Sequence, residues 1–262
     1  GGAVLGSRAP VMGMHVADLA GEDAAQIYTL CGRGGRSSLR ILRHGLQVSE
    51  EASSDLPGSP NAVWTIKGRQ EEKHDRFIVV SFTNATLVFS IGDQIEEVTD
   101  SGFLGTAPTL EVKLLADNAM LQVHTHGIRH IRPGRPVNEW KTPGRKVIEQ
   151  ASANERQVAI ALEGGDVVYF ELDAAGMLME VASKEVGLTV ACLDLGPVPH
   201  GRVGSSFLAV GGYDSTVRIL SLEQASLLMQ RSMLQLSVRA ESVCLAEMAK
   251  DGEGGGGATI AL

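Results

Sequence analysis

Three stretches of the sequence carry residue types that can do chemistry. Gly32-Arg33-Gly34-Gly35-Arg36 joins open backbone N–H groups to guanidinium forks, the ingredients of a phosphate cradle. A P-loop would also need G-K-[ST] with a helix starting behind it, whereas residues 37–42 alternate as a strand, so a hairpin turn is expected. Asp100-Ser101-Gly102 matches the D-[ST]-G by which aspartic proteases hold one carboxylate of a proton-sharing pair. No second copy exists, because Asp214-Ser215 runs into Thr216, and activity would require a homodimer; a turn built on Asp and Gly is the simpler expectation. His124, His126 and His130 are close enough in sequence to suggest a metal, but Gly127 interrupts the strand register. Exposed turn histidines are expected instead. Neither G-x-S-x-G nor H-E-x-x-H occurs. Cys31, Cys192 and Cys244 are odd in number and far apart, and read as buried reduced thiols. No catalytic, metal or cofactor-binding residue is assigned, and no small-molecule substrate is expected.

The elements that must position these residues repeat. Five pairs of short apolar runs, each pair joined by a few turn-forming residues, occupy 27–42, 78–91, 120–131, 158–172 and 207–222. Their turns fall near residues 35, 84, 125, 165 and 214, which gives gaps of about 49, 41, 40 and 49 residues. That period suits a four-stranded propeller blade. Weaker strand candidates precede the hairpins or close the set, at 62–66, 110–115, 147–151, 189–195 and 242–248, and others follow them at 94–98 and 178–182. The best helical period, 222–236, mixes Ser and Gln into its apolar face and lacks a stop signal. The fold expected is all-β, a WD40-like propeller with about five to six blades in this chain, although no WD dipeptide marks them. The apolar run at 258–262 follows a glycine-rich stretch as though a strand had been cut, so a fragment of a longer polypeptide is expected.

Composition narrows the function. The chain has 262 residues with 44% hydrophobic and 21% charged side chains, enough to bury a core without metals or disulfides. No apolar run is long enough to cross a bilayer, and no membrane partner is expected. A formal charge of −8 argues against general nucleic-acid binding while leaving room for a local basic patch. Residues 77–112 hold no Lys or Arg but contain Asp93, Glu96, Glu97, Asp100 and Glu111. Residues 128–147 reverse this, with Arg129, Arg132, Arg135, Lys141, Arg145 and Lys146 against Glu139 alone. Arg129, Arg132, Arg135, Trp140 and Lys141 are therefore the candidate protein or RNA contacts. Trp140 either anchors that interface or packs between blades.

Longer strings carry a resemblance. VTDSGFLGTAPTL at 98–110, GIRHIR at 127–132 and VNEWKTPG at 137–144 resemble the family of splicing factor 3b subunit 3. CGRGGRSSLR at 31–40, LRHGL at 42–46, FLAVG at 207–211 and TVRILSL at 216–222 extend the likeness over most of the chain. The wider family includes the large subunit of the cleavage and polyadenylation factor and the damaged-DNA-binding scaffold of cullin-4 ubiquitin ligases. The resemblance implies three seven-bladed propellers in the whole protein, with residues 14–262 here as part of the central one and 1–13 as an extension or connector. It further implies a nuclear, non-enzymatic scaffold in pre-mRNA splicing. Such a protein would sit in the U2 small nuclear ribonucleoprotein with the HEAT-repeat and smallest subunits of splicing factor 3b, in indirect proximity to RNA, with a direct RNA contact left open. The alternative is a propeller adaptor of a cullin-type ubiquitin ligase or another nuclear multiprotein complex.

Overall fold

The computed structural model describes residues 10–19, 21, 25–32, 35, 37–43, 56–92 and 94–246. The apolar run at 258–262, the glycine-rich stretch before it, and Arg33, Gly34, Arg36 and Asp93 lie outside the described residues. The chain forms two compact units, residues 1–55 and 56–262.

The first unit contains one antiparallel sheet of β1 (Val11–Ala17), β2 (Gln26–Cys31) and β3 (Ser38–Leu42). The two strands expected to flank the turn pair as a hairpin, β2 with β3 from Ile27↔Leu42 to Cys31↔Ser38. Gln26 is buried and accepts from the Leu19 amide and the Tyr28 hydroxyl while donating to Asp18. A buried amide side chain is tolerated because its donors and acceptors are matched.

The second unit is four sheets of four antiparallel strands, each in simple chain order. They are β4 (Pro60–Ile66), β5 (Phe77–Phe82), β6 (Thr86–Ile91) and β7 (Ile95–Glu97); β8 (Thr109–Leu114), β9 (Met120–His124), β10 (Gly127–Ile131) and β11 (Asn138–Lys141); β12 (Ile148–Ala153), β13 (Gln157–Leu162), β14 (Asp166–Leu172) and β15 (Leu178–Glu185); and β16 (Val190–Asp194), β17 (Phe207–Gly212), β18 (Thr216–Ser221) and β19 (Gln230–Gln235). The middle two strands of each sheet are the hairpins expected from the sequence. β13 is buried at every position, and β17 and β18 nearly so, because both faces of each are covered by neighbouring layers. A strand buried on both faces reads as a continuous apolar run rather than an alternating one.

The first strands β4, β8, β12 and β16 approach one another in succession, while the fourth strands are largely exposed. Each first strand carries a bulge after its opening residue, at the steps Pro60/Ala62, Thr109/Glu111, Ile148/Gln150 and Val190/Cys192. A bulge raises local twist, which lets consecutive sheets splay outward from a crowded inner edge. Three apolar layers fill the gaps between sheets. Ile66, Val79, Val88 and Val112 form the first, Leu121, Ile128, Ile160 and Phe170 lie in the second, and Tyr169, Leu208, Val210 and Leu220 in the third.

Polar clamps fix the order of the sheets. Gln157 Nε2 donates to the Ser205 carbonyl at 2.9 Å and to Tyr169 Oη, while its Oε1 accepts the Ser205 amide at 2.6 Å and Asn154 Nδ2 at 2.9 Å. Gln70 plays the same part between the first two sheets, donating to the Leu114 and Leu115 carbonyls. Gln157→Leu keeps the volume but orphans both backbone groups of Ser205. A loss of about 1–3 kcal/mol is expected, read as a lower urea midpoint at unchanged slope; an unshifted midpoint would show that the clamp is dispensable.

One expectation holds here and one changes. Residues 222–236 form no helix: a single 3-10 turn at Gln224–Ser226 leads into β19, whose six residues are all exposed. The apolar periodicity there comes from a rim strand with mixed Met, Leu, Ser and Gln. Of the strand candidate at 242–248, the described residues 242–246 are not a strand.

Candidate interaction surface

The basic stretch is organised by the β9–β10–β11 meander. Gly127 pairs with both His124 and Lys141, and Ile131 pairs with Met120. The hairpin therefore separates the basic residues. Lys141, Arg145 and Lys146 lie at the His126 end, Arg132 and Arg135 at the other, roughly 13 Å apart along the five-residue strand β10. Arg129 lies between them. Residues adjacent in sequence thus form two patches rather than one. Arg135 and Lys141 are exposed, whereas Arg129 and Arg132 are half-buried, each with a buried Nε that makes no hydrogen bond.

Trp140 turns inward. Its ring meets Phe170 edge-on at 5.1 Å, and its indole N–H donates to Glu180 at 2.8 Å. Glu180 pairs with Phe170 across β14 and β15, so one side chain locks the rim of the second sheet onto the third. Packing between sheets is what this geometry provides.

The histidines correct the sequence reading. His126 is exposed in the turn as expected, but His124 and His130 are 4% and 2% exposed. Pairing places them on opposite faces of the meander, His124 with Gly127 and His130 with Leu121. His124 Nε2 lies 3.3 Å from Glu139, and His130 Nε2 lies 3.3 Å from Asp117. Burial pushes both imidazoles below the ordinary histidine range; Glu139 and Asp117 pull them back, and Arg129 and Arg132 respectively add to the depression. Gly127 makes the first contact possible, since a Cβ there would lie 2.4 Å from the Trp140 carbonyl and 3.1 Å from the His124 ring. The glycine that seemed to break the register is what lets the imidazole cross the hairpin. Among the described residues, no group of three or more His, Cys, Asp or Glu side chains could hold a metal ion.

Asp100-Ser101-Gly102 is a turn, as the simpler reading held. Asp100 is exposed, Ser101 Oγ accepts the Phe103 amide, and Gly102 has φ +83° with Ile131 closing on it. The same turn feeds Leu104, whose amide and carbonyl are both bound by Gln122.

A cleft of about 380 Å³ was not anticipated. Trp64, Lys67, Asp75, Glu111, Lys113 and Glu155 line it, drawn from three sheets. Glu111 and Lys113 stand on the same face of β8. Burial pushes the Glu111 carboxyl up to about 7, opposed by the Val112 amide and Lys113 and reinforced by Asp194. The one sequence signal for this cleft is the repeat itself: Thr65, Glu111 and Glu155 recur at blade-like intervals along the first strands and their ends.

Residues 48–261 match the family described as the RSE1/DDB1/CPSF1 second beta-propeller. The chain belongs to that family. Its four-stranded antiparallel sheets are accordingly propeller blades, with the first strand of each innermost. Among curated proteins, the chain is 55% identical to "Splicing factor 3B subunit 3" of Danio rerio over 92% of its length, and 56% identical to the Drosophila melanogaster protein of that name over 93%. It is 51% identical to "Pre-mRNA-splicing factor RSE1" of Pyricularia oryzae over 96%. The chain spans about a fifth of the length of these relatives, 20%, 20% and 21% respectively.

Proposed function

We propose that this propeller chain serves pre-mRNA splicing as a non-enzymatic scaffold in the nucleus, within a protein like splicing factor 3B subunit 3. The observation that carries the reading is identity above one half, across more than nine-tenths of the chain, to proteins named as splicing factors. The cullin-adaptor alternative has no comparable support. Residues 14–262 are read as part of one central propeller, with 1–13 as a connector. The partners proposed are other splicing factor 3b subunits, the HEAT-repeat and smallest subunits, in the U2 small nuclear ribonucleoprotein. A propeller suits this role because its blades hold their rims and loops rigid, so exposed side chains meet a partner without an ordering cost.

Within the basic stretch, the proposed contacts are Arg135 with half-buried Arg132 at one end, Lys141 at the other, and half-buried Arg129 between them. Trp140 supports this surface from within. The test is affinity capture from nuclear extract with the full-length protein that contains this chain. Branch-site complex subunits and U2 RNA are the expected catch; a cullin in their place would overturn the splicing reading. Arg135→Glu combined with Lys141→Glu should reduce that capture about tenfold, the effect of losing two rim charges with ~0.7 kcal/mol each. Undiminished capture would remove these residues from the interface while leaving the splicing role intact.

A further inference from the structure

The connection between β11 and β12, residues 142–147, carries a pattern that the scaffold reading does not use. It opens Thr142-Pro143-Gly144-Arg145-Lys146, a hydroxyl residue followed by proline and, three positions on, by a basic residue. Proline-directed protein kinases of the cyclin-dependent class accept this arrangement. The sequence contains one other Ser/Thr-Pro step, Ser59-Pro60, and there the third position beyond Ser59 is Ala62.

The structure distinguishes the two. Pro60 opens β4, and the Ser59 carbonyl accepts the Thr83 amide, so that step is held in a sheet edge. Thr142 is half-buried and its amide donates to the His126 carbonyl at 3.1 Å, but it leads into a turn rather than a strand: it has φ −61° and ψ 137°, the extended conformation imposed on a residue before proline, and its side chain makes no capping hydrogen bond. Pro143, Gly144, Arg145 and Lys146 are all exposed. The turn behind Thr142 is anchored at its two ends, by the Thr142 amide on the His126 carbonyl and the Ile148 amide on the Thr125 carbonyl at 2.8 Å, and one backbone bond spans it between them. The Lys146 amide donates to the Pro143 carbonyl at 3.2 Å, and both Gly144 and Arg145 have φ +61°. For arginine that left-handed conformation is uphill, so opening the turn into the extended form a kinase cleft needs also relieves strain.

We infer that Thr142 is a phosphorylation site for a proline-directed kinase. The γ-phosphoryl group of a nucleoside triphosphate passes to Thr142 Oγ1. An Oγ1–P bond forms, the bond from that phosphorus to the bridging oxygen breaks, and nucleoside diphosphate leaves. The hydroxyl proton goes to the kinase's catalytic carboxylate. The product adds about two negative charges among Lys141, Arg145 and Lys146, turning this end of the meander from basic to nearly neutral. Lys146 would then divide its ammonium between the phosphate and its present partner Asp166.

The inference is independent of which partner the propeller binds, because its test reads phosphate rather than binding. The folded chain is incubated with a cyclin-dependent kinase and ATP, and the modified residue is located by tandem mass spectrometry. One phosphate at Thr142 and none at Ser59 is expected. Thr142→Ser should retain incorporation and Thr142→Ala should abolish it, while Arg145→Ala should slow it about tenfold through loss of one charge-assisted contact. A peptide of residues 138–147 serves as the unconstrained comparison. An unmodified Thr142 in the chain beside a modified peptide would show that the fold blocks the site, and an unmodified peptide would show that the pattern is not recognised. Either result, or equal labelling at Ser59, overturns the inference.

Discussion

Phe170→Ala is expected to destabilise the four-sheet unit by about 3–5 kcal/mol, the cost of emptying a large aromatic site in a close-packed layer. Phe170 is 1% exposed, and its ring lies in the apolar layer between the second and third sheets with Leu121, Ile128 and Ile160. Blades contribute their faces to shared layers, so the cavity would loosen two sheets at once. Val63→Ala, at a position 64% exposed on β4, should change stability by no more than about 0.5 kcal/mol. Urea unfolding followed by far-ultraviolet dichroism separates the two. The same experiment decides the role of Trp140. If its ring packs on Phe170, Trp140→Ala and Phe170→Ala should be non-additive by about 0.5–1.5 kcal/mol. Strict additivity would return Trp140 to the list of candidate partner anchors.

The sequence revealed the layers better than the rims, for a physical reason. Strands such as β13 and β17 are covered on both faces, so every position is under the same selection for apolar side chains and the run stands out. β11 and β19 close their sheets at the solvent edge, where Gln230–Gln235 need only supply backbone pairing and β11 turns inward only at Trp140 and Glu139. No side-chain period marks them. The turns at Thr83-Asn84 and Gly164-Gly165 were legible from turn chemistry alone. What stayed hidden at Gly165 was the Leu188 carbonyl, 2.2 Å from where its Cβ would be, because that contact comes from the chain entering the next sheet. The buried histidines were hidden in the same way. Each buried imidazole has a carboxylate 3.3 Å from its Nε2, and those carboxylates, Glu139 and Asp117, lie thirteen to fifteen residues away on different elements. The basic stretch was legible as composition but not as geometry, since a hairpin of five-residue strands carries its two ends apart. Period-two reasoning applied across the turn shows that Lys141 opposes Gly127 while Arg132 and Arg135 close the opposite end.

Glu111→Gln should stabilise the protein at pH 8 by up to about 3 kcal/mol and leave it nearly unchanged near pH 4.5. The folded carboxyl titrates near 7, against 4.5 for a free one. Between those values the folded chain holds a proton that the unfolded chain has released. Stability contributed by the protonated side chain is therefore complete below about 4.5, falls as pH rises, and is lost above about 7. Glutamine keeps the shape and the neutral charge at every pH, so it removes this slope. His124 and His130 work in the opposite direction: their depressed titration means that unfolding favours proton uptake, and stability falls as pH drops below about 6.5. Their contribution is common to parent and variant and cancels in the difference. Measured as urea midpoints from pH 4.5 to 8, the gap between Glu111→Gln and the parent should widen with pH, because only the parent carries the Glu111 slope against that of the histidines. Parallel curves would mean that Glu111 titrates alike in the folded and unfolded chain, and that the cleft shared by β4, β8 and the end of β12 is wetter than its lining implies.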